Sequence, residues 1–247
     1  MENLIETLVG VLDLAQDSTI KVMGVGGGGC NAVNYLYSQG VKDVTFLVCN
    51  TDKQSLERSS VPAKLQLGPG LGAGGKPEVA HEYAEQNRDR IKDSLNDGTK
   101  MLFLTAGMGG GTGTGATPVI AQKIHSLNIP LIAILTTPSI NEGKHRFDQA
   151  MNGISIMQDF VDTFIIIRNE TIITLCDDRS VHDAFNMAND VVAYAAKGIA
   201  EIALTQSDLV SVDISDVCKV VRNSHYAVMG MAAEAGAYRV ITAIDKS

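Results

Sequence analysis

Three glycine-rich segments of this chain have the composition needed to hold a polyphosphate. The first, GVGGGGCNAV at 24–33, contains G-x-G-x-x-G as Gly24, Gly26 and Gly29. Such a turn lets backbone N–H groups approach a phosphate at the start of the following helix. The second, GPGLGAGGKP at 68–77, fits G-x-x-x-x-G-K from Gly70 to Lys76. A Walker A loop needs a hydroxyl after the lysine for Mg²⁺, and Pro77 stands there instead. The preceding LQL is also too short for a central strand, so the Walker reading is rejected. Pro77 suits the first position of a helix, which still allows this loop to offer N–H groups to an anion. The third, GMGGGTGTGA at 107–116, adds the hydroxyls of Thr112 and Thr114 to a row of backbone N–H groups. Glycine tolerates the left-handed backbone that builds such an anion nest, and a plain turn needs only one or two glycines.

None of the three loop cores carries Asp or Glu, and the first and third also lack Lys. Two phosphate-type loops on different strands fit one long polyphosphate gripped from both sides. Charge neutralisation then falls to Mg²⁺ and to main-chain dipoles. A rival of another class is an NAD-dependent oxidoreductase using 24–29, with Asp52 as the ribose acid. That rival leaves the third loop without a role.

Other chemistries find little support. Cys30, Cys49, Cys176 and Cys218 are scattered without a CxxC pair, as in a reduced, cytosolic chain. The five histidines are equally dispersed, so no metal site of Cys and His is expected. No GxSxG elbow is present. With 247 residues, 45% of them hydrophobic, the chain can bury a sizeable core. A net charge of −8 argues against nucleic-acid binding. No run approaches the length of a membrane span, and the acidic start, MENLIETLVGVLDL, is unlike a signal peptide.

The loops must be carried by regular elements. Continuous apolar runs at 20–25, 44–48, 101–105, 131–136 and 163–168 read as strands buried on both faces. Helical patterns follow most of them. Strand and helix in alternation predict an α/β fold: a doubly wound, mostly parallel, Rossmann-like sheet with its ligand at the carboxyl ends of the strands. A helix is expected to start near Thr117–Pro118. From 180 to 205, Val181, Phe185, Ala188, Val192, Ala195, Ile199 and Ile202 form one apolar stripe, with Asp183, Asn186, Asp190, Lys197 and Glu201 opposite. A helix of that length spans roughly 35–40 Å. A further helix is expected near 217–235. Asp213 and Asp216 in SVDISD, taken alone, are first-turn carboxylates that favour a helix N-terminus.

GGGTGTG at 109–115 is the signature of the tubulin/FtsZ GTPase family, and the chain resembles that family's bacterial FtsZ branch in several further segments. These are IKVMGVGGGGCNAV (20–33), CNTD (49–52), GLGAGGKPEV (70–79), NEGKHR (141–146), RNE (168–170) and DAFNMANDV (183–191). The resemblance implies a self-assembling cytoskeletal GTPase of the division ring, cytoplasmic and placed at mid-cell. It implies GTP or GDP with Mg²⁺ as cofactors and no separate protein metal site. Gly27, Gly28 and Asn31 would hold phosphates, and Ala73 and Gly74 would approach the terminal one. Gly110, Gly111, Thr112, Gly113 and Thr114 would wrap the diphosphate. Glu142 and Arg146 would sit by the ribose and phosphates, with Asn169 and Asp190 on guanine and Phe185 stacked on the base. A carboxylate can accept from guanine N1–H and the 2-amino group together, which adenine cannot match. Arg146 read alone is a surface ion pair, and Phe185 a core residue.

In the family an N-x-D-x-x-D loop enters the nucleotide pocket of the next subunit. Asp213 and Asp216 match its carboxylates, and Ser211 stands in place of Asn. The resemblance therefore implies hydrolysis completed in trans within a head-to-tail filament. Ser211 also admits a relative that binds nucleotide with little turnover. The expected division is an N-terminal extension (1–19), a GTP-binding domain (20–179), a long connecting helix (180–205), and the catalytic loop with the start of a truncated C-terminal domain (206–247). The expected partners are further copies of the chain, and division-ring anchor proteins reached through a tail that this chain lacks.

Overall fold

The computed structural model describes residues 19–41, 44–175, 181–204 and 213–228. Seven strands form one sheet: β1 (Ile20–Val25), β2 (Val44–Asn50), β3 (Lys64–Gln66), β4 (Met101–Gly107), β5 (Leu131–Thr137), β6 (Thr163–Arg168) and β7 (His225–Tyr226). Their order is β3-β2-β1-β4-β5-β6-β7, and every pairing is parallel.

The continuous apolar character of the strands has a direct cause in packing. On β4, Met101 and Phe103 face one core, while Leu102, Leu104 and Ala106 face the other. The first core is closed by α1 (Gly26–Ser38), α2 (Lys53–Arg58), α7 (Asn169–Leu175), α8 (Val181–Leu204) and α9 (Ile214–Val221). The second is closed by α3 (Pro77–Gln86), α4 (Arg88–Asp93), α5 (Gly111–Ser126) and α6 (Lys144–Met157). Neither sheet face meets solvent over the central strands, so alternation is suppressed. The α/β, doubly wound architecture is as expected, with the strand starts as predicted for β1, β2, β4, β5 and β6.

LQL contributes Leu65 and Gln66 to β3, a three-residue strand at the edge of the sheet paired only to β2, so it forms no central strand, as expected. Two expectations are corrected. Helix α5 starts at Gly111 rather than near Pro118, and Pro118 lies inside it. Glycine disfavours helix, yet a Cβ on Gly113 would collide with Gly107 O and one on Gly115 with Pro77 O. Close packing dictates glycine there, and the helix forms regardless. Helix α9 covers only Ile214–Val221. Asp213 caps its start, and Asn223 at φ 56° turns the chain out into β7. The remainder of the expected 217–235 helix, from 229 onward, lies outside the described residues.

Helix α8 has 24 residues, about 36 Å at 1.5 Å per residue. Ala188, Val192 and Ala195 of its stripe are buried, as expected. The side chains of Val181, Phe185, Ile199 and Ile202 lie outside the described set.

A candidate nucleotide site at the strand switch point

The chain leaves β1 toward β2 on one side, and β4 pairs with β1 on the other. A crevice opens at such a reversal, beyond the carboxyl ends of the strands. Both β1 and β4 end there, at Val25 and Gly107, and each runs into a glycine turn.

The turns touch. A Cβ on Gly26, whose φ is +71°, would lie 2.9 Å from Gly113 N, and one on Gly28 would lie 3.2 Å from Gly107 Cα. The second loop closes from the other side: a Cβ on Gly111 would lie 2.9 Å from Lys76 N and 3.0 Å from the Ala73 Cβ. Three segments distant in sequence thus share one cradle. Gly27, Gly74 and Gly110 are its open members; each is exposed, and a Cβ there would meet nothing within 4 Å. Asn31 is exposed on the first turns of α1, and Thr112 is half-buried at the start of α5. The buried Thr114 hydroxyl accepts from Gly109 N–H at 2.8 Å, which folds the third loop back on its own helix. No acidic residue occupies the first turn of α1 or α5, so both helix N-termini present unopposed positive ends.

Thr51, which the sequence reading passed over inside CNTD, ties two of these loops together. Its side-chain oxygen lies 2.7 Å from Thr112 Oγ1, and its carbonyl accepts from Gly72 N–H at 3.0 Å. The position of CNTD at the end of a strand was the available clue. Asp52 is committed elsewhere. It caps α2, accepting from Gln54 N–H at 2.8 Å and from Ser55 N–H at 3.3 Å. The Ser55 N–H bond is the main cause holding its carboxyl below the usual range. A carboxylate so engaged is poorly placed for a ribose, which removes the main support for an NAD site.

Further along the crevice, the turn after β5 and the start of α7 after β6 bring Glu142, Arg146 and Asn169 together. Glu142 Oε1 accepts from Ser139 N–H at 3.0 Å and from Asn169 Nδ2 at 3.2 Å. Arg146 Nη1 lies 3.5 Å from Glu142 Oε2, so the ordinary ion-pair reading of Arg146 is realised in this state. Asn169 Oδ1 is buried without a partner, an acceptor waiting for a donor. Asp190 does not sit on the solvated side of α8. It is half-buried, and the Tyr35 hydroxyl of α1 bonds to it. Desolvation, followed by the negative charge of Asp190, pushes the Tyr35 phenol pKa up. The side chain of Phe185 and all of Ser211 lie outside the described residues.

The remaining candidates stand apart. Asp213 and Asp216 are exposed at the start of α9. Asp213 accepts from Ser215 N–H at 2.7 Å, the chief reason its carboxyl is held below the usual range. Asp216 pairs with Lys219 at 2.9 Å. Their helix docks where strands begin: Thr163 Oγ1 at the head of β6 donates to Val221 O at 2.7 Å, and Cys218 Sγ lies 3.9 Å from Lys100 O, just before β4. Strand β4 has seven residues, about 23 Å at 3.3 Å per residue. The two carboxylates are therefore about one strand length from the glycine cradle of their own chain.

Neither buried thiol near the site is reactive. Burial pushes Cys30 up to about 12 and raises Cys49 as well. Among the described residues, no group of three or more His, Cys, Asp or Glu could hold a metal.

The GTPase-domain model of the tubulin/FtsZ family matches residues 19–177. The cell division protein FtsZ of Porphyromonas gingivalis is 42% identical over 233 residues, which cover 92% of this chain and 51% of that protein. FtsZ of Coxiella burnetii is 41% identical over 235 residues, covering 93% of this chain and 60% of that one. The chain thus spans between half and two thirds of the length of these relatives. An empty FtsZ dimer from M. jannaschii superposes with a TM-score of 0.87 at 33% identity, covering 96% of this chain and 70% of that one. With the cradle built from the same glycine loops that carry the resemblance, this chain belongs to the tubulin/FtsZ family.

Proposed function

We propose that the chain binds GTP or GDP across this crevice and hydrolyses GTP where two copies meet head to tail. The observation that carries the reading is the separation just described. The phosphate cradle lies at the carboxyl ends of the strands, and the carboxylates Asp213 and Asp216 lie at the opposite ends. Carboxylates so far from their own cradle can serve only that of another copy. Stacking with uniform polarity brings this about, and contacts that repeat without closing build a filament. The M. jannaschii relative, whose name describes a dimer, is in keeping with self-association.

Exposed N–H groups at Gly27, Gly28 and Gly110 and the Thr112 hydroxyl take the phosphates, with Gly111, Gly113 and Thr114 shaping the wrap. Ala73 and Gly74 close over the terminal phosphate. Glu142 and Arg146 flank the ribose, and Asn31 lies beside the phosphates. Asn169 offers its unpartnered oxygen, and Asp190 its carboxylate, to donors on guanine; Phe185 is assigned the base's face. The cradle contains amides and hydroxyls rather than a carboxylate cluster, so Mg²⁺ enters with the phosphates and neutralises their charge. Asp213 and Asp216 of the next copy hold the attacking water in line, which is the chief protein contribution to phosphoryl transfer.

Biologically, this is the activity of a division-ring polymer acting in the cytoplasm at mid-cell, joined to anchor proteins through segments beyond this chain. No helix among the described residues is long and apolar enough to cross a membrane. The test is phosphate release per molecule across a protein dilution series. A steep rise with concentration supports hydrolysis in trans, and a constant rate overturns it. If turnover is low while GDP binds, Ser211→Asn should raise it; a thermal melt in which NAD protects and GTP does not would reinstate the oxidoreductase.

A further inference from the structure

The Thr51 side chain is fully buried just beyond β2, and its hydroxyl has Thr112 Oγ1 as partner at 2.7 Å. Either oxygen could donate in this pair. The surroundings decide the direction. If Thr112 donated, the Thr51 hydroxyl hydrogen would be left buried without an acceptor, which is costly. If Thr51 donates, the Thr112 hydrogen is free to point outward, and Thr112 is half-buried at the rim of the cradle. The same residue fixes the second loop: Thr51 O accepts from Gly72 N–H at 3.0 Å, and Lys53 N–H donates to Gly70 O at 3.0 Å. Gly72 immediately precedes Ala73 and Gly74.

We propose that Thr51 is a positioning residue for the nucleotide phosphates. Its hydroxyl aims the Thr112 hydroxyl at a phosphate oxygen, while its carbonyl holds the second loop over the terminal phosphate. The chain of donors runs Thr51 O–H to Thr112 O–H to phosphate: Thr51 donates, the Thr112 oxygen accepts that hydrogen and gives its own, and the phosphate oxygen accepts it. Thr51 never touches the ligand. This inference rests on the reading of the crevice as a guanine-nucleotide site.

The test titrates fluorescent GDP into the full chain for the wild type and for Thr51→Val, Thr51→Ser, Thr112→Val and the Val/Val double variant. Valine keeps the shape of threonine and removes the hydroxyl. Thr51→Val should weaken GDP by about tenfold, the scale of one hydrogen bond to a charged group. Thr51→Ser should recover affinity to within about threefold of wild type, because the hydroxyl returns. The double variant should bind no worse than Thr112→Val alone, since Thr51 acts only through Thr112 at this bond. Losses that add in the double variant, or a Thr51→Val protein that binds like wild type, overturn the proposal. Should Thr51→Val fail to fold in a thermal melt, Thr51→Ala and Thr51→Ser decide. A loss of about tenfold in Thr51→Ala that Thr51→Ser restores supports the relay, and equal GDP affinity in the two overturns it. A wild-type chain that binds no GDP would instead overturn the nucleotide reading, and the relay with it.

Discussion

Asn169 donates an amide hydrogen to Glu142 Oε1 at 3.2 Å, and the same amide keeps its own oxygen buried with no partner. An unpaired buried acceptor is unfavourable in the empty protein and becomes an asset once a ligand supplies a donor. Asn169→Ala should therefore weaken GDP binding by roughly tenfold. The melting temperature of the ligand-free chain should move by only about 2–4 °C, since Glu142 Oε1 keeps its bond from Ser139 N–H. Calorimetric titration alongside a thermal melt separates the two. Equal GDP affinity in wild type and variant would remove Asn169 from the site.

The glycines divide into two groups that alanine should distinguish. Gly27 and Gly110 have open space where a Cβ would go and ordinary negative φ. Alanine at either should leave stability within about 1 kcal/mol while obstructing the cradle and lowering nucleotide affinity. Gly113 and Gly115 have backbone oxygens of Gly107 and Pro77 in that space. Alanine there forces the loop off α5 and should destabilise the fold by about 1–3 kcal/mol or more. Chemical denaturation in the absence of nucleotide measures the difference. The same stability loss in both pairs would contradict the placement of the loops.

Asp213 and Asp216 should be dispensable for binding and required for turnover. Asp216→Ala is predicted to bind GDP like wild type and to release phosphate at least about 10²-fold more slowly. Asp213→Ala should show the same defect, with about 1 kcal/mol of lost stability because it also removes the helix cap. A chain with an intact cradle and no carboxylates should still complete one face of an interface. Mixing Asp216→Ala with a cradle-blocked Gly110→Ala chain should therefore restore part of the hydrolysis that neither shows alone. A mixture as silent as its components would argue against catalysis in trans.

Lys21, on β1 at the strand-start end of the sheet, is buried and donates to Ser94 O and, at 2.6 Å, to Asp97 Oδ2. Desolvation raises the Asp97 pKa, but hydrogen bonds from Lys21 and Thr99 and the lysine's charge outweigh it and hold the carboxyl below its ordinary range. The unfolded value is about 3.9. A depressed folded value means that the pair's stabilisation is complete above that pH and is lost as pH falls through the lower folded value. Asp97→Asn should reduce stability at pH 7 by about 2 kcal/mol, less than a fully buried pair because the carboxylate is half exposed. The deficit should shrink as the pH is lowered from 5 toward 2. A deficit constant over that range would show that the pair's charge is not what stabilises the fold.

Much of this site was legible from local pattern. Strands apolar on both faces imply helices on both faces, whatever the details, because every residue from Met101 to Ala106 needs a dry neighbour. Glycine runs directly after two such strands imply backbone amides at the carboxyl edge of the sheet. Pro77 at the first position of a helix was readable for the same reason, since its fixed φ is a local property. Local reasoning misjudged α5, where glycine propensity argued for a loop and interlocking with Gly107 and Pro77 produced a helix. It sets Asp190 on the face opposite the apolar stripe of α8, and helical periodicity cannot know that Tyr35 of α1 lies against that face.

The residues and their order determined by themselves that this chain would fold as a layered sheet with glycine-rich turns at one edge. Only the tertiary structure decided that Thr51 touches Thr112, that Asn169 is left with an unspent acceptor, and that the helix carrying Asp213 docks at the strand starts, across the sheet from the cradle. Those relations join residues tens of positions apart through sheet order and helix docking. No local sequence preference encodes a distance that many separate packing contacts must set together.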